Sequence, residues 1–224
     1  MNYSIIIPVF NEENCLPVLL KQLYPFSKNN EIIFLDDGSD DNSYKILQKI
    51  DYIKLFKLSK NFGKGVAIRS GIKKSKFSKI IIYDGDLELE TSDLRKLMVL
   101  NKKKNIHATF GTRYRSINLF ISKYNWGNFM FTTFFNLLYK TTHKDILCCA
   151  KSFYKDDLPL EKVKSNGFDI DVELSAFLIR NLKVFNFKQI QLRYKRRSTK
   201  DGKKLRISDG WKILKRIIIS RGLF

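Results

Sequence analysis

Through the first half of the chain, short apolar runs alternate with stretches whose apolar residues recur at helical spacing. SIIIPVF (4–10), EIIFLDD (31–37), YIKLFKL (52–58), KIIIYD (79–84) and HATFGT (107–112) read as five strands. Between the first two, ENCLPVLLKQLY places Leu16, Leu19, Leu20 and Leu23 on one helical face, with Pro17 tolerable in a first turn. GSDDNSYKILQKI turns into a helix with Asp40 or Asp41 as N-cap. GKGVAIRSGIKKS (63–75) is amphipathic, and TSDLRKLMVLNKK (91–103) reads as a helix capped by Thr91 or Ser92. Strand and helix alternating through short links predict a mostly parallel sheet with helices on both faces, an α/β chain of Rossmann-like character.

The pattern then loosens. Residues 117–140 are aromatic and helix-like, FDIDVELSAFLIRN (168–181) predicts a helix, VFNFKQIQLRY (184–194) a strand, and SDGWKILKRIIISR (208–221) a last helix. No repeat or linker divides the chain, so one domain is expected over residues 1–224. No basic n-region precedes an apolar h-region, so no signal peptide is expected. The most apolar tract, WGNFMFTTFFNLLY (126–139), is shorter than the ~20 residues of a spanning helix and is broken by Asn128, Thr132, Thr133 and Asn136.

Charge changes this picture. The formal net charge is +20, which predicts an anionic partner: a nucleic acid, a phosphorylated ligand or an anionic membrane surface. The three cysteines, Cys15, Cys148 and Cys149, are odd in number and form no CxxC pair. That argues against a disulfide framework or a zinc site and fits a reducing compartment.

Against that basic background, three strands end in acid: PVFNEE, DDGSDD and DGDLELE. Ligands of open parallel sheets bind at the carboxyl ends of strands. Side by side, these ends put Glu12, Asp36 or Asp37, Asp84 and Asp86 on one rim. Two carboxylates about 5 Å apart repel by roughly 3 kcal/mol at an effective dielectric near 20. A divalent cation reverses that sign, so Asp84-x-Asp86 suits a metal–diphosphate site. The plainer reading is a solvated loop of helix-capping acids. An EF-hand is excluded, because Leu89 and Arg95 occupy its glycine and bidentate glutamate positions. NFGKGVA lacks the Ser/Thr and the earlier glycine of a P-loop.

In order and spacing, SIIIPVFNEE, LDDGSDD, LSKNFGKGVAIRSGI, IYDGDLE and FGTRY together resemble the family 2 glycosyltransferases. The branch resembled is that of dolichyl-phosphate mannose synthase and bacterial polyprenyl-phosphate sugar transferases. The tail YKRRSTKDGKKLRISDGWKIL resembles a Y-x-x-R…G-K-K…D-G segment of that family. The resemblance implies a GT-A fold, a nucleotide-diphospho-sugar donor, Mg²⁺ or Mn²⁺ as cofactor, and transfer with inversion. It implies that Pro8, Phe10 and Glu12 line the base and ribose, that Asp37 holds the base, and that Lys64 lies near the base or phosphates. Asp84 and Asp86 are implied as metal ligands at the sugar–ribose end, beside Glu88. Arg113, Arg197, Lys203 and Lys204 are implied to face phosphates, and Asp171 to be a catalytic or acceptor-side acid. Residues 1–115 would form the nucleotide-sugar half and 116–224 the acceptor half. Asp145-Ile-Leu-Cys148-Cys149-Ala150-Lys151 departs from the family's D-x-x-S-G-F-R.

The expected reaction moves a hexose, from a GDP-mannose or UDP-glucose type of donor, to a polyprenyl phosphate. Such an acceptor is already a nucleophile near neutral pH, its second pKa being about 6, and needs a cationic clamp more than a base. Lys195, Arg196, Arg197, Lys200, Lys203, Lys204 and Arg206 supply one. A hydroxyl acceptor in surface glycan synthesis is the alternative, with Asp171 as its base. The aromatic tract and the basic last helix predict peripheral contact with the cytoplasmic face of a membrane. A nucleic-acid-binding protein is the rival from another class, but no helix-turn-helix, RRM or zinc-finger signature supports specific nucleic-acid binding.

Overall fold

A computed structural model describes residues 2–114, 123–181, 187–197 and 209–222. Among the described residues, seven strands make one sheet: β1 (Ser4–Val9), β2 (Glu31–Asp36), β3 (Lys54–Lys57), β4 (Lys79–Ile82), β5 (Ala108–Thr112), β6 (Lys151–Tyr154) and β7 (Phe187–Gln191). Their spatial order is β3-β2-β1-β4-β6-β5-β7. The pairs β1–β2, β1–β4, β2–β3 and β5–β7 are parallel, as the alternation predicts. β6 runs antiparallel between β4 and β5. It was not foreseen, because KSFY is four residues long and carries no alternation of its own.

Seven α-helices accompany the sheet among the described residues: α1 (Leu16–Ser27), α2 (Ser43–Leu47), α3 (Lys64–Lys74), α4 (Leu94–Leu97), α5 (Lys123–Tyr139), α6 (Ile170–Asn181) and α7 (Asp209–Gly222). Alternate strand residues face opposite cores. Ile6, Ile33, Leu35, Ile80 and Ile82 pack with α3, α5, α6 and α7, whereas Ile5, Ile7, Phe34 and Ile81 pack with α1 and α4. The chain is a mixed α/β domain with a mostly parallel sheet covered on both faces.

Two local expectations are corrected. The residue before α2 is Asn42, and Asp41 instead accepts from the backbone N–H of Glu13 (3.1 Å) and Ser43 (2.8 Å), tying the first two strand ends together. The helix expected over 91–103 is a 3₁₀ turn, Thr91–Asp93, then α4, then a second 3₁₀ turn, Lys102–Lys104. Neither Thr91 nor Ser92 caps it. Leu94, Leu97 and Leu100 are all fully buried at spacings of three, which suits tight turns better than a continuous α-helix. No described helix is long and apolar enough to cross a membrane.

Candidate active site

Because β1, β2 and β4 are neighbours, their carboxyl ends meet, and the loop before α3 joins them. Asp37 accepts from the backbone N–H groups of Phe62 and Gly63, both at 2.8 Å, and fastens the NFGKG loop. Burial raises the Asp37 pKa above the ordinary carboxylate range despite these bonds. The adjacent Asp36 is buried and accepts from Ser39 N–H at 3.3 Å. Gly63 has φ +100°, and a Cβ there would collide with the Asn166 carbonyl oxygen. A Cβ on Gly65 would strike Ser165 in the same way, and Gly65 N–H donates to Asn166 O at 2.7 Å. The two glycines let the 165–166 backbone press against the start of α3. That contact carries the Lys64 side chain between the end of β4 and the start of α6.

There Lys64 Nζ lies 2.9 Å from both Asp84 oxygens and 3.1 Å from Asp171 Oδ2. Asp171 Oδ1 is 3.8 Å from Nζ of Lys151, whose side chain is 1% exposed and donates to the Cys148 carbonyl. Acid and amine alternate along a row: Asp84, Lys64, Asp171, Lys151. Burial by itself would lower the Lys64 pKa, but Asp171 and Asp84 outweigh it and hold the ammonium well above its usual range. Burial would raise Asp84, and Lys64 overrides it to keep that carboxylate below its usual range.

Asp86 is treated differently. Its Oδ1 accepts from Glu88 N–H at 3.0 Å, and no described cation lies within ion-pair distance. Burial, then the charges of Asp84 and Glu88, push its pKa up to about 7. The C-terminal segment crosses this acidic loop. Tyr194 bridges to Leu89, Lys195 N–H donates to Glu88 O at 2.8 Å, and Arg197 N–H donates to Glu88 Oε1 at 3.0 Å. The Arg197 guanidinium pairs with both Glu12 oxygens, at 2.8 and 3.1 Å, and donates to Cys15 Sγ at 3.1 Å.

Glu12, Asp84, Asp86, Glu88 and Arg197 are therefore brought together, with Pro8 and Phe10 half-buried at the end of β1. Arg113 lines the same cleft as Asp84, Asp86 and Glu88. Its guanidinium is held by Asp145 through two 2.8 Å hydrogen bonds, the mark of a bidentate pair. Lys203 and Lys204, like Lys200 and Arg206, lie outside the described residues. Sequence reasoning missed the parts played by Lys151 and Asp145. A lysine inside CCAKSFY was the available signal, since a lone charge in an apolar run needs a buried partner.

The residues fit a divalent cation in one respect. Both Asp84 oxygens face Lys64, whereas Asp86 beside it has no ion-pair partner among the described residues. Mg²⁺ characteristically takes one or two protein carboxylates and fills its shell with water and substrate phosphates. Among the described residues, no three His, Cys, Asp or Glu side chains form a closed metal cage. Asp86 suits an ion that arrives with a diphosphate better than a permanently bound one.

Residues 4–158 match the sequence model of Glycosyl transferase family 2. The undecaprenyl-phosphate 4-deoxy-4-formamido-L-arabinose transferase of Proteus mirabilis is 31% identical over 122 residues, covering 50% of this chain and 37% of that protein. The human dolichyl-phosphate beta-glucosyltransferase is 34% identical over 109 residues, covering 42% of this chain and 34% of that protein. The matched region thus spans little more than a third of either relative. Among solved structures, glucosyl-3-phosphoglycerate synthase from Mycobacterium tuberculosis, in complex with Mn²⁺, UDP-glucose and phosphoglyceric acid, superposes with a TM-score of 0.72. It covers 100% of this chain and 80% of that one at 14% identity, a likeness of fold.

Proposed function

Since the chain belongs to glycosyl transferase family 2, we propose that it is an inverting hexosyltransferase that takes a nucleotide-diphospho-sugar and glycosylates a polyprenyl phosphate. The observation that carries this reading is Asp86: a carboxylate in the loop after β4, pushed to about 7 by burial and its acidic neighbours, with no ion-pair partner among the described residues. A nucleoside diphosphate leaving group develops negative charge as the sugar–oxygen bond breaks. Mg²⁺ or Mn²⁺ bound at Asp86 would supply Lewis-acid stabilisation of that charge.

This chain's own residues do the rest. Pro8, Phe10, Glu12 and Asp37 frame the nucleoside end. Asp84 and Glu88 face the sugar. Arg113 and Arg197 bring fixed positive charge to the rim, and Lys203 and Lys204 are proposed to contact phosphates. Residues 1–115 form the donor half and 116–224 the acceptor half. The acceptor reading is supported by the polyprenyl-phosphate names of the two curated relatives and by the basic excess of the chain. It places the protein at the cytoplasmic face of a membrane, in peripheral contact.

Purified protein incubated with Mn²⁺, labelled UDP- and GDP-hexoses and short-chain polyprenyl phosphate should move label into the organic phase. Asp86→Asn should not. Organic-phase label at the same level in both proteins would overturn the role of Asp86. Slow donor hydrolysis that depends on Asp86, without organic label, would move the acceptor to the hydroxyl class.

A further inference from the structure

The row Asp84–Lys64–Asp171–Lys151 runs from the cleft into the protein. The Asp84 side chain is 26% exposed, Lys64 11%, Asp171 5% and Lys151 1%. Two acids and two amines balance one another in formal charge. Asp84 is the member open to a ligand, and Asp171 is the buried end of the same linkage. Three independent elements converge on Lys64 to hold it there. Asp37 fastens the loop in front of it, the 165–166 backbone presses on the glycines beside it, and α6 presents Asp171.

Resting on the transferase reading above, we infer that Lys64 is a positioning residue that locks donor-side Asp84 to Asp171, and that Asp171 acts on the donor through Lys64 instead of taking a proton from the acceptor. The chemistry of Asp171 argues for this. Its Oδ2 already accepts from the Lys64 ammonium. Its Oδ1 is buried, accepts no hydrogen bond among the described residues and faces Lys151. A proton placed on Oδ2 would sit between the carboxyl group and an ammonium, break the pair with Lys64 and leave a net positive charge in the row. A base needs an oxygen free to face the attacking group, and here Oδ2 is engaged by Lys64 while Oδ1 faces Lys151. Removing its charge releases Lys64, and through it the orientation of Asp84. The acceptor must then bring its own anionic nucleophile, which a phosphate does and a hydroxyl does not.

The test separates binding from chemistry. Affinity for UDP and GDP in the presence of Mn²⁺ is measured by calorimetry on the wild type, Asp171→Asn, Lys64→Arg and Lys64→Met. Donor KM and single-turnover rate at saturating donor are measured alongside. Asp171→Asn should raise the donor KM about tenfold and leave the saturated single-turnover rate within about threefold. A lost general base would do the opposite: an unchanged KM and a rate lower by roughly 10²–10⁴. That outcome overturns the inference. Lys64→Arg, which keeps the charge, should retain most of the donor affinity that Lys64→Met loses. If the methionine variant does not fold, Asp171→Asn and Lys64→Arg still decide. Wild-type protein that binds neither nucleotide sinks the transferase reading and this inference with it. Wild type that binds, with Asp171→Asn binding and turning over alike, sinks the inference alone.

Discussion

Glu173 and Asp86 are both carboxylates drawn away from water, and the protein handles them in opposite ways. Glu173, on α6, is fully buried and accepts from the backbone N–H of Lys164 and Ser165 and from Arg216 Nη1 at 2.8 Å. Its neighbour Asp169 accepts from Ser165 Oγ at 2.7 Å and Arg216 Nε at 3.0 Å. Both Glu173 oxygens and Asp169 Oδ2 have donors, and the result fastens α7 to α6. Asp86 has one backbone N–H and two acidic neighbours. A buried polar network is stabilising when satisfied and costly when it is not. The α6–α7 junction has spent its carboxylates on structure, whereas the rim keeps one in reserve for a ligand.

The sharpest way to break that contrast is Asp86→Asn. It should lower transfer by roughly 10³-fold, in line with removing one electrostatic stabiliser of a developing charge. It should also stabilise the ligand-free protein. The sign follows from the raised pKa: the folded state favours the protonated carboxyl, so wild-type stability declines as pH rises from the unfolded value of 3.8 through about 7. The asparagine variant avoids that decline. Thermal melts at pH 8 without metal should show a higher midpoint, by roughly 2–4 °C for each kcal/mol regained. A lower midpoint would mean that Asp86 is as well satisfied as Glu173.

The opposite substitution is Arg216→Met, with the Arg216 side chain 17% exposed. It leaves Glu173 and Asp169 short of donors. Removing one partner of a buried pair destabilises by about 3–5 kcal/mol, and the partial exposure points to the lower end. Urea unfolding should register it as a lower midpoint with an unchanged slope. A change below about 1 kcal/mol would place this junction with ordinary surface pairs.

How much of this was legible depended on whether the partner was near in sequence. The rim was legible because apolar runs at 4–10, 31–37 and 79–84 end abruptly in acid. The spacing that rejected a P-loop in NFGKG was legible too, but its physical use was not. The glycines answer to a backbone at 165–166, about a hundred residues away. Nothing local revealed that Asp145 holds the Arg113 guanidinium. Arg193 finds Asp93, Arg197 finds Glu12, and β6 inserts between β4 and β5. None of those pairings leaves a periodic trace in one short window. The sequence pattern exposes which residues are unusual, and the fold decides which of them meet.

A smaller effect probes a third kind of buried polar group, one with neither donors nor charge. His143 stacks on Phe187 at 5.0 Å, meets Phe110 and Phe135 edge-on, and has no hydrogen bond to either ring nitrogen among the described residues. Burial, with Lys151 adding to it and Asp145 opposing, lowers its pKa from 6.5 to about 3. The ring is buried neutral, so its contribution to stability is present above pH 6.5 and lost as pH falls from there toward 3. Each pH unit in that window should remove about 1.4 kcal/mol at most. Replacing it by phenylalanine should flatten the acid limb of the stability profile between pH 6 and 4. An identical limb in both proteins would show that His143 reaches water.

The smallest stability effect belongs to the outward face of α7, where the comparison turns within a single helix. Ile213, Ile217 and Ser220 face the core beside Arg216, while Trp211 is 77% and Ile218 53% exposed, with Lys212 and Lys215 alongside. Trp211→Ala removes little buried area and should change unfolding stability by no more than about 0.5 kcal/mol. An exposed tryptophan flanked by lysines suits the interface of an anionic bilayer, where each nearby cation adds roughly 1 kcal/mol. Co-sedimentation with anionic vesicles should therefore weaken several-fold in Trp211→Ala. Equal vesicle binding by wild type and Trp211→Ala would reduce the outward face of α7 to ordinary solvent-exposed surface.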